Sequence, residues 1–375
     1  MGLEIQQIMD RLISRVETTA KSDLPGFPHY SDDYGRWICT RDGDWTGGFW
    51  VGMLWLSYLE TGEEKFFDWA KKWMRHLRNR IESETVFRCF LFYYGAALGD
   101  ILFDDREARE LAINGARGLA KLYNKNAGII PLGRAAEEAG SVGLDQTNID
   151  GCMAIALLSY AAEKTGENIL REIGIRHALS HIKLCVNEDG SVIQSASFDP
   201  NTGSLIKRYT HKGYNDDTIW SRAQAWAMLG YTLALKWAPE VREFYQTALL
   251  VSDFWVKHLP SDSIAFWDFN DPYIPHTSKD TSATAIAASS LIKLSQIVND
   301  EAVRQRYYRK PVESVESLSK LVTPTNPNDS RPIGMLTQGC YNKRIALATN
   351  NELIWGNYYL LESLLMLKSK LTQVI

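Results

Sequence analysis

The amino-acid sequence predicts an all-α fold, an (α/α)6 barrel in which six outer helices surround six inner ones. Helical periodicity recurs in twelve segments of the 375-residue chain, and segments with few charges alternate with amphipathic segments. The connections also alternate, between short turns and long loops. Pseudo-repeats of this kind close into a ring, so we expect one domain over residues 1–375, although the length alone is compatible with two or three.

The twelve predicted helices fall into two alternating classes. The six that begin near residues 46, 85, 147, 218, 280 and 351 contain few charges and many small residues, which predicts burial on every side. The segments between them carry Lys, Arg and Glu on one face, as in EEKFFDWAKKWMRHLRNRI, which predicts outer helices. The predicted spans are 3–20, 46–61, 63–81, 85–101, 105–124, 147–163, 167–185, 218–237, 239–258, 280–298, 301–322 and 351–371.

The connections predict which end of the barrel carries the function. Turns from an inner to an outer helix are short, whereas most connections in the other direction are long, at 21–45, 125–146, 186–217, 259–279 and 323–350. Because all inner helices begin at the same end, the long loops gather on one rim, and loops on a rigid scaffold carry function. Within 191–211, SVIQSASF and SLIKRYTH flank the turn signal Asp199-Pro-Asn-Thr-Gly, which predicts a small hairpin on that rim.

The composition excludes several classes of function. The net charge is −4, from 41 Lys and Arg against 45 Asp and Glu, and without a basic block it gives no electrostatic basis for nucleic-acid binding. The chain contains no apolar run long enough to span a membrane and no secretory signal at its start. The five cysteines are scattered without CxxC spacing, which predicts reduced thiols in a cytoplasmic protein rather than a structural zinc site. The sequence does not indicate an oligomeric state.

Several charged residues of the inner helices lie in their first turns, interleaved with tryptophans. For one first-turn carboxylate, a favourable interaction with the helix dipole and free N–H groups is the simpler explanation. Several charges on one rim with Trp45, Trp220 and Trp226 favour a sugar site, because indole faces stack on sugar rings while carboxylates and amides bind hydroxyl groups. The charged residues are Arg88, Asp150, Arg222, Asp280 and Glu352, with Asp44 just before another helix.

The densest group of candidate residues is the stretch HKGYNDDTIWSRAQAW, from His211 to Trp226. In a helix that starts near residue 218, Trp220 and Gln224 share one stripe, and Arg222 and Trp226 share the next. A buried cation needs a partner, so Arg222 is expected to pair with a nearby aspartate at 216 or 217, with another acid, or with an anionic ligand, which we prefer. His211 fits a plain loop residue as well as a functional one.

Asp150 opens an inner helix in the sequence Thr-Asn-Ile-Asp-Gly-Cys. The helix N-terminus lowers the pKa of such a carboxyl group, whereas burial among aromatic side chains raises it. An acid catalyst at neutral pH requires the second effect to dominate, and the sequence leaves both outcomes open.

Other chemistries lack a sequence signal. GxSxG, HExxH, P-loop and GxGxxG motifs are absent. His177 and His181 are spaced i,i+4 on an outer helix, which resembles half of a metal site, but no third ligand is evident. We therefore expect both histidines to face solvent and expect no metal.

The tryptophan-rich motifs occur in an order that resembles the unsaturated glucuronyl hydrolases of glycoside hydrolase family 88, with the unsaturated rhamnogalacturonyl hydrolases as related proteins. The resemblance runs from about residue 28 to 370. It implies an (α/α)6 barrel that acts, without metal or organic cofactor, on oligosaccharides left by polysaccharide lyases. The matching motifs are Asp44-Trp45-Thr46, Gly48-Phe49-Trp50, Asp150, Trp220-SRAQAW, Trp267-Asp268-Phe269, Asp280-TSA-Thr284 and Trp355-GNYYLLE.

The resemblance implies hydration of an enol ether rather than ordinary glycoside cleavage. The substrate's non-reducing end is a 4-deoxy uronate with a C4=C5 double bond, which is protonated at C4 and takes up water at C5. One carboxyl group, by match Asp150, acts first as acid and then as base. The resemblance also implies that Tyr341 approaches the sugar from the last long loop. The residues that it places around the sugar are Trp45, His211, Trp220, Arg222, Gln224 and Trp226.

The sequence departs from the family pattern at a second acidic position. The family has an Asp three residues before a Phe-Leu pair, and the corresponding residue here is Phe87. Glu84 and Asp145 are candidates to replace the missing acid, which assists orientation and charge balance in the family, and Arg88 adds a charge in the same turn.

Two binding positions on the hairpin also differ from the pattern. Gln194 stands where a His is expected, and Lys212 stands where a Gln is expected. Lys212 suits an anionic group such as sulfate or carboxylate, although a solvated loop lysine is the more common case.

Three functions are therefore compatible with the sequence. The first is a cytoplasmic hydrolase of unsaturated uronic-acid oligosaccharides. The second is a carbohydrate-binding or altered-specificity homologue, because Phe87 replaces the second acid. The third is a sugar 2-epimerase, which requires paired histidines, for which His211, His276 and His29 are the candidates.

Overall fold

The helices of the computed structural model, which describes residues 2–137 and 145–375, follow the predicted alternation. The described residues form twelve helices, numbered here in chain order. The even-numbered helices form an inner ring, which the odd-numbered helices surround. They are α1 (Gly2–Lys21), α2 (Gly47–Thr61), α3 (Glu64–His76), α4 (Arg88–Phe92, a π-helical turn Tyr93–Ala97, and Leu98–Phe103), α5 (Arg106–Ala120), α6 (a 3₁₀ turn Ile149–Met153 and Ala154–Thr165), α7 (Asn168–Cys185), α8 (Ser221–Trp237), α9 (Arg242–His258), α10 (Thr281–Ile297), α11 (Glu301–Ser319) and α12 (Ile354–Leu367).

Burial separates the two classes of helix. In α8 every residue from Ser221 to Leu235 is buried, as expected for a helix that is apolar nearly all round. The outer helix α3 instead buries Phe66, Ala70 and Met74, which are spaced four residues apart on one stripe. The (α/α)6 prediction is therefore confirmed.

The inner ring closes on itself. Each inner helix packs against the next along the chain, and α12 returns to pack against α2. The outer helix α1 contacts both α2 and α12, and its Arg15 forms a buried ion pair of 2.7 Å with Glu352 just before α12. The first and last helices of the described chain therefore pack side by side.

Two small antiparallel sheets lie among the loops. Strands β1 (Phe27–Ser31) and β2 (Trp37–Thr40) form a hairpin that the sequence analysis did not predict. Strands β3 (Gln146–Asn148), β4 (Ser195–Phe198) and β5 (Leu205–Tyr209) form a sheet in the order β3-β4-β5, which confirms the predicted hairpin and adds a strand to it. The helix predicted from residue 147 is therefore preceded by a strand and begins later.

The described residues bear on the sequence expectations for membrane spans, cysteines and metal ligands. Among the described residues, no helix combines the length and the apolar character that crossing a membrane requires. The cysteine thiols are free, and four of the five are buried. Within residues 2–137 and 145–375, no three His, Cys, Asp or Glu side chains are grouped as metal ligands.

Candidate active site

The N-terminal ends of the inner helices enclose a narrow cavity on the loop side of the barrel. Six of its lining residues are among those predicted from the sequence, and two phenylalanines at the start of α4 complete the wall. All eight side chains are buried. They are Trp45, Phe87, Phe90, Asp150, Lys212, Trp220, Arg222 and Trp226.

Asp150 lies in the 3₁₀ turn with which α6 begins, directly after β3. The backbone before it is held by the sheet, because Asn148 is paired with Ser195 and the Ile149 N–H donates to the Gln194 carbonyl at 2.9 Å. Its side chain is buried and faces the cavity, with 7% of the residue exposed. The position of this carboxyl group therefore depends on a strand and a helix at once.

Two imidazoles of α7 support the same backbone from the outer side. The Ile130 N–H donates to Nδ1 of His177 at 3.0 Å, so Nε2 carries the proton and donates to the Gly151 carbonyl at 2.9 Å. Nε2 of His181 lies 3.0 Å from the Asn148 carbonyl oxygen. The two rings meet edge to face, 4.5 Å apart.

The prediction that these two histidines face solvent is wrong. Both are fully buried, because they continue the inward stripe of α7 that includes Ile173 and Leu184. Burial lowers the pKa of His181 to about 4 and that of His177 well below its usual value, so both rings are neutral. The apolar residues spaced three and four positions from them are the sequence signal that indicates this orientation.

Arg222 has an acidic partner within the protein. Its Nη1 donates to Asp280 Oδ2 at 2.6 Å and to the Cys340 carbonyl at 2.7 Å, and its Nη2 donates to the Tyr341 carbonyl. The partner is therefore another acid of the protein, one of the alternatives that the sequence left open, and not the anionic ligand that we preferred. Asp216 instead pairs with Arg344 at 3.2 Å.

The Arg222 guanidinium also stacks over the Trp220 ring at 4.3 Å. Asp280 has a second role as the N-cap of α10, where it accepts from the N–H groups of Ser282 and Ala283. Arg222 consequently connects α8, α10 and the loop that carries Tyr341, while one face of its side chain lines the cavity.

The end of the β4–β5 hairpin presents His211 and Lys212. The Lys212 N–H donates to the Gln194 side-chain oxygen at 2.9 Å, and His211 Nδ1 lies 3.0 Å from the Ser195 hydroxyl. Burial lowers the pKa of His211 to about 3, with further lowering by Lys212 and Arg344, so its ring is neutral. Lys212 lines the cavity, whereas fully buried Gln194 holds the turn in place.

Gln224 is not among the lining residues of the cavity. Its amide donates to the carbonyls of Gly190 at 2.8 Å and Val251 at 2.9 Å, which places it against α9. The i,i+4 spacing from Trp220 therefore does not bring the two side chains to the same site.

Tyr341 and Trp355 extend the aromatic wall behind Trp45. The Trp45 and Trp355 ring centroids are 4.7 Å apart, and those of Tyr341 and Trp355 are 5.3 Å apart. The buried imidazole of His29 lies 5.3 Å from the Tyr341 ring, and burial lowers its pKa to about 4.

A carboxylate that the sequence analysis did not select, Glu137, lies next to this wall. The Trp45 indole N–H donates to Glu137 Oε2 at 2.8 Å, and the Tyr341 hydroxyl donates to the other oxygen. Lys212 Nζ lies 3.6 Å from Oε2. Partial desolvation would raise the pKa of Glu137, whose side chain is 31% exposed, but Lys212, Tyr341, His29 and Trp45 together lower it. The run AAEEAG gave no indication of this role, because loop acids are usually solvated.

The position of the missing acid is part of the cavity wall. The Phe87 ring lies 6.5 Å from Trp45 between centroids and 6.3 Å from Phe90. The exposed Glu84 lies 3.7 Å from Arg134, and the side chain of Asp145 is exposed as well.

Arg88, which follows Phe87, points away from the cavity and donates to the carbonyls of Ile81 and Thr85. Glu84 and Asp145, the two acids that the sequence offers as replacements, do not line the cavity either.

Comparison with known proteins agrees with this architecture. The family model for Glycosyl Hydrolase Family 88 matches residues 5–367. The chain is 31% identical over 355 residues to an unsaturated glucuronyl hydrolase of Bacillus sp. (strain GL1), with 92% of each protein covered. It is 28% identical to an unsaturated chondroitin disaccharide hydrolase of Streptococcus pyogenes serotype M1, covering 96% of this chain and 90% of that protein. The crystal structure of the Bacillus sp. GL1 enzyme matches with a TM-score of 0.90 at 29% identity, over 98% of both chains.

Proposed function

The chain belongs to glycosyl hydrolase family 88 and is a glycoside hydrolase, and we propose that it removes a 4,5-unsaturated uronic acid from the non-reducing end of lyase-generated oligosaccharides. The observation that carries the proposal is the placement of Asp150 in a cavity walled by Trp45, Trp220 and Trp226. Indole faces stack on the apolar faces of sugar rings, and a carboxyl group among them is suited to proton transfer.

The relatives support this class of substrate. One is an unsaturated glucuronyl hydrolase responsible for the degradation of glycosaminoglycan, and another is an unsaturated chondroitin disaccharide hydrolase. Their substrates share an unsaturated uronate, which carries a carboxylate. The side chains of Lys212 and Arg222 bring two cations to the wall of the cavity, and cations bind carboxylates through charge-assisted hydrogen bonds.

In the proposed reaction Asp150 acts twice. Its carboxyl group donates a proton to C4, the C4=C5 electron pair forms the new C–H bond, and positive charge develops on C5 and the ring oxygen. The resulting Asp150 carboxylate then accepts a proton from a water molecule whose oxygen bonds to C5. The acid is regenerated and the product of this step is a hemiketal.

The hemiketal then decomposes by itself, and the enzyme does not have to cleave the glycosidic bond directly. The bond between C5 and the ring oxygen breaks, which leaves a ketone at C5 and a hemiacetal at C1. The hemiacetal expels the second sugar as an alcohol and becomes an aldehyde. A pair of carboxyl groups at a set separation, as ordinary glycosidases use, is therefore not needed, and Asp150 suffices as the acid and base.

The conjugated double bond provides the test. Purified protein is mixed with unsaturated disaccharides produced by lyases from glycosaminoglycan, gellan, xanthan and pectin, and the ultraviolet absorbance of the C4=C5 bond is followed. We expect the absorbance to decay with at least one of these substrates. Constant absorbance with all of them, under conditions in which the protein is folded, would contradict the proposal.

A second candidate function is carbohydrate binding without turnover. The observation that favours it is Phe87 in the cavity wall, at the position where the resemblance implies an acid. Calorimetric binding of an unsaturated disaccharide with no loss of absorbance over a long incubation would support this alternative. A gain of rate in Phe87→Asp would then attribute the difference to that one residue.

A further inference from the structure

Glu137, at the end of the described segment that follows α5, contacts three residues of the candidate site. We infer that Glu137 is a positioning and specificity-determining residue, which orients Trp45 and Tyr341 and compensates the charge of Lys212. The inference rests on the proposed function, since its readout is the handling of unsaturated disaccharides. Through Glu137 the site gains a carboxylate although position 87 carries an aromatic ring.

The geometry of the carboxylate supports an orienting role. Its two oxygens have different donors, the Trp45 indole N–H at 2.8 Å and the Tyr341 hydroxyl. These donors come from separate parts of the chain, one just before α2 and the other from the loop before α12. Hydrogen bonds to an ionised acceptor are about twice as strong as neutral ones, so the carboxylate holds both rings in one arrangement.

The charge of Glu137 supports a role in specificity. Lys212 Nζ lies 3.6 Å from Oε2 of Glu137 and 4.9 Å from the centre of the Tyr341 ring. The Lys212 side chain is 7% exposed, and a cation buried to this degree requires negative charge nearby. Loss of the charge at 137 makes this part of the cavity wall more positive, and a more positive wall favours substrates that carry an additional anion.

The variant Glu137→Gln separates charge from shape, because it keeps the size of the side chain and an amide oxygen that accepts hydrogen bonds. Asp145→Asn is the matched control, since it removes the same charge from an exposed side chain next to β3. Both variants are assayed on a sulfated and an unsulfated unsaturated disaccharide of the same two sugars, with kcat and KM determined separately.

We expect Glu137→Gln to raise KM for the unsulfated substrate by about tenfold while kcat changes by less than about threefold. We also expect the ratio of kcat/KM for the sulfated over the unsulfated substrate to rise by at least about fivefold. Asp145→Asn leaves both quantities within about twofold of the wild type. A purely structural contact would lower activity on both substrates equally, so the ratio distinguishes the two roles.

Adding Lys212→Met to Glu137→Gln tests the charge argument directly, because without the cation the shift in the ratio should disappear. If the wild type turns over and Glu137→Gln keeps its constants and its ratio, the inference is overturned while the proposed function stands. If the wild type turns over none of the substrates, the proposed function fails, and calorimetric binding of the same two disaccharides replaces kinetics. Equal affinities of wild type and Glu137→Gln, or no binding by either, would then overturn the inference.

Discussion

The side chain of Asp150 is buried and its backbone is held by hydrogen bonds to β4, so a substitution that keeps its shape tests its chemical role. Asp150→Asn keeps the volume and polarity of the side chain but cannot donate or accept the proton. We expect kcat to fall by about 10³-fold, while the affinity for an unsaturated disaccharide changes little. The absorbance assay gives the rate and calorimetry gives the affinity.

Asp145→Asn is again the appropriate control, because it makes the same chemical change five residues away on an exposed side chain. The control should retain the wild-type rate. A substantial residual rate in Asp150→Asn would remove Asp150 from the proposed acid–base role.

At the scale of residues, the sequence predicts which residue types lie near the site better than it predicts where their side chains point. Trp45 and Trp220 come just before the buried helices α2 and α8, and Trp226 lies in the second turn of α8. These positions near the loop-side ends of inner helices place all three in the cavity wall. Gln224 could not be assigned by the same reasoning, since its direction depends on the carbonyls of Gly190 and Val251, which come from other elements. Glu137 could not be found either, because the partners that distinguish it from a solvated loop acid lie far away in the chain.

At the scale of elements, the ion pair between Arg222 of α8 and Asp280 of α10 ties two inner helices to the Tyr341 loop. Both side chains are almost completely buried. Arg222→Met leaves the Asp280 carboxylate in the interior without this cation, so we expect the free energy of unfolding to fall by about 3 kcal/mol. Urea unfolding at neutral pH measures it.

The double variant Arg222→Met with Asp280→Asn should be more stable than the single variant. It removes the buried negative charge together with the positive one, and Asn still serves as an N-cap for α10. Equal stability of the single and double variants would show that the lost guanidinium hydrogen bonds, rather than the isolated charge, dominate the cost.

Among the elements, helices were predictable and short strands were not. The apolar periodicity of a helix such as α9 extends over several turns, and the structure places it at Arg242–His258 against a prediction of 239–258. β3 contains three residues, too few for an alternating pattern, and its pairing with β4 involves residues almost 50 positions away. The strand that precedes Asp150 therefore depends on a tertiary contact that the local sequence does not encode.

At the scale of the whole molecule, the closed ring could be predicted from the number and order of the helices. Six charge-poor segments alternate with six amphipathic ones, and a ring of inner helices surrounded by outer ones buries all six charge-poor segments. The buried ion pair between Arg15 and Glu352 could not be predicted from the number and order of the helices. Glu352 was noted as a first-turn charge, but its partner lies more than 300 residues earlier, on the helix that completes the outer ring. Closure of the barrel, rather than the active site, accounts for that charge.

Four buried or half-buried histidines make the stability of the whole barrel depend on pH. His29, His177, His181 and His211 all have lowered pKa values through burial, to about 4 for His29 and His181 and to about 3 for His211. In the unfolded chain a histidine has a pKa near 6.5, so between about pH 4 and 6.5 the unfolded state binds more protons than the folded state. The free energy of unfolding is therefore highest above this window and falls as the pH is lowered through it.

The fully buried pair His177 and His181 allows this linkage to be measured. Each histidine that is neutral when folded and protonated when unfolded contributes about 1.4 kcal/mol per pH unit, so the pair accounts for about 2–3 kcal/mol between pH 6 and pH 5. We expect the double variant His177→Asn with His181→Asn to be less stable than the wild type at pH 7, because its hydrogen bonds to the backbone around Asp150 are altered. Its stability should nevertheless fall less steeply between pH 6 and pH 5. Urea unfolding of both proteins across pH 5 to 7 gives the two slopes, and parallel slopes would mean that these two rings do not titrate on unfolding.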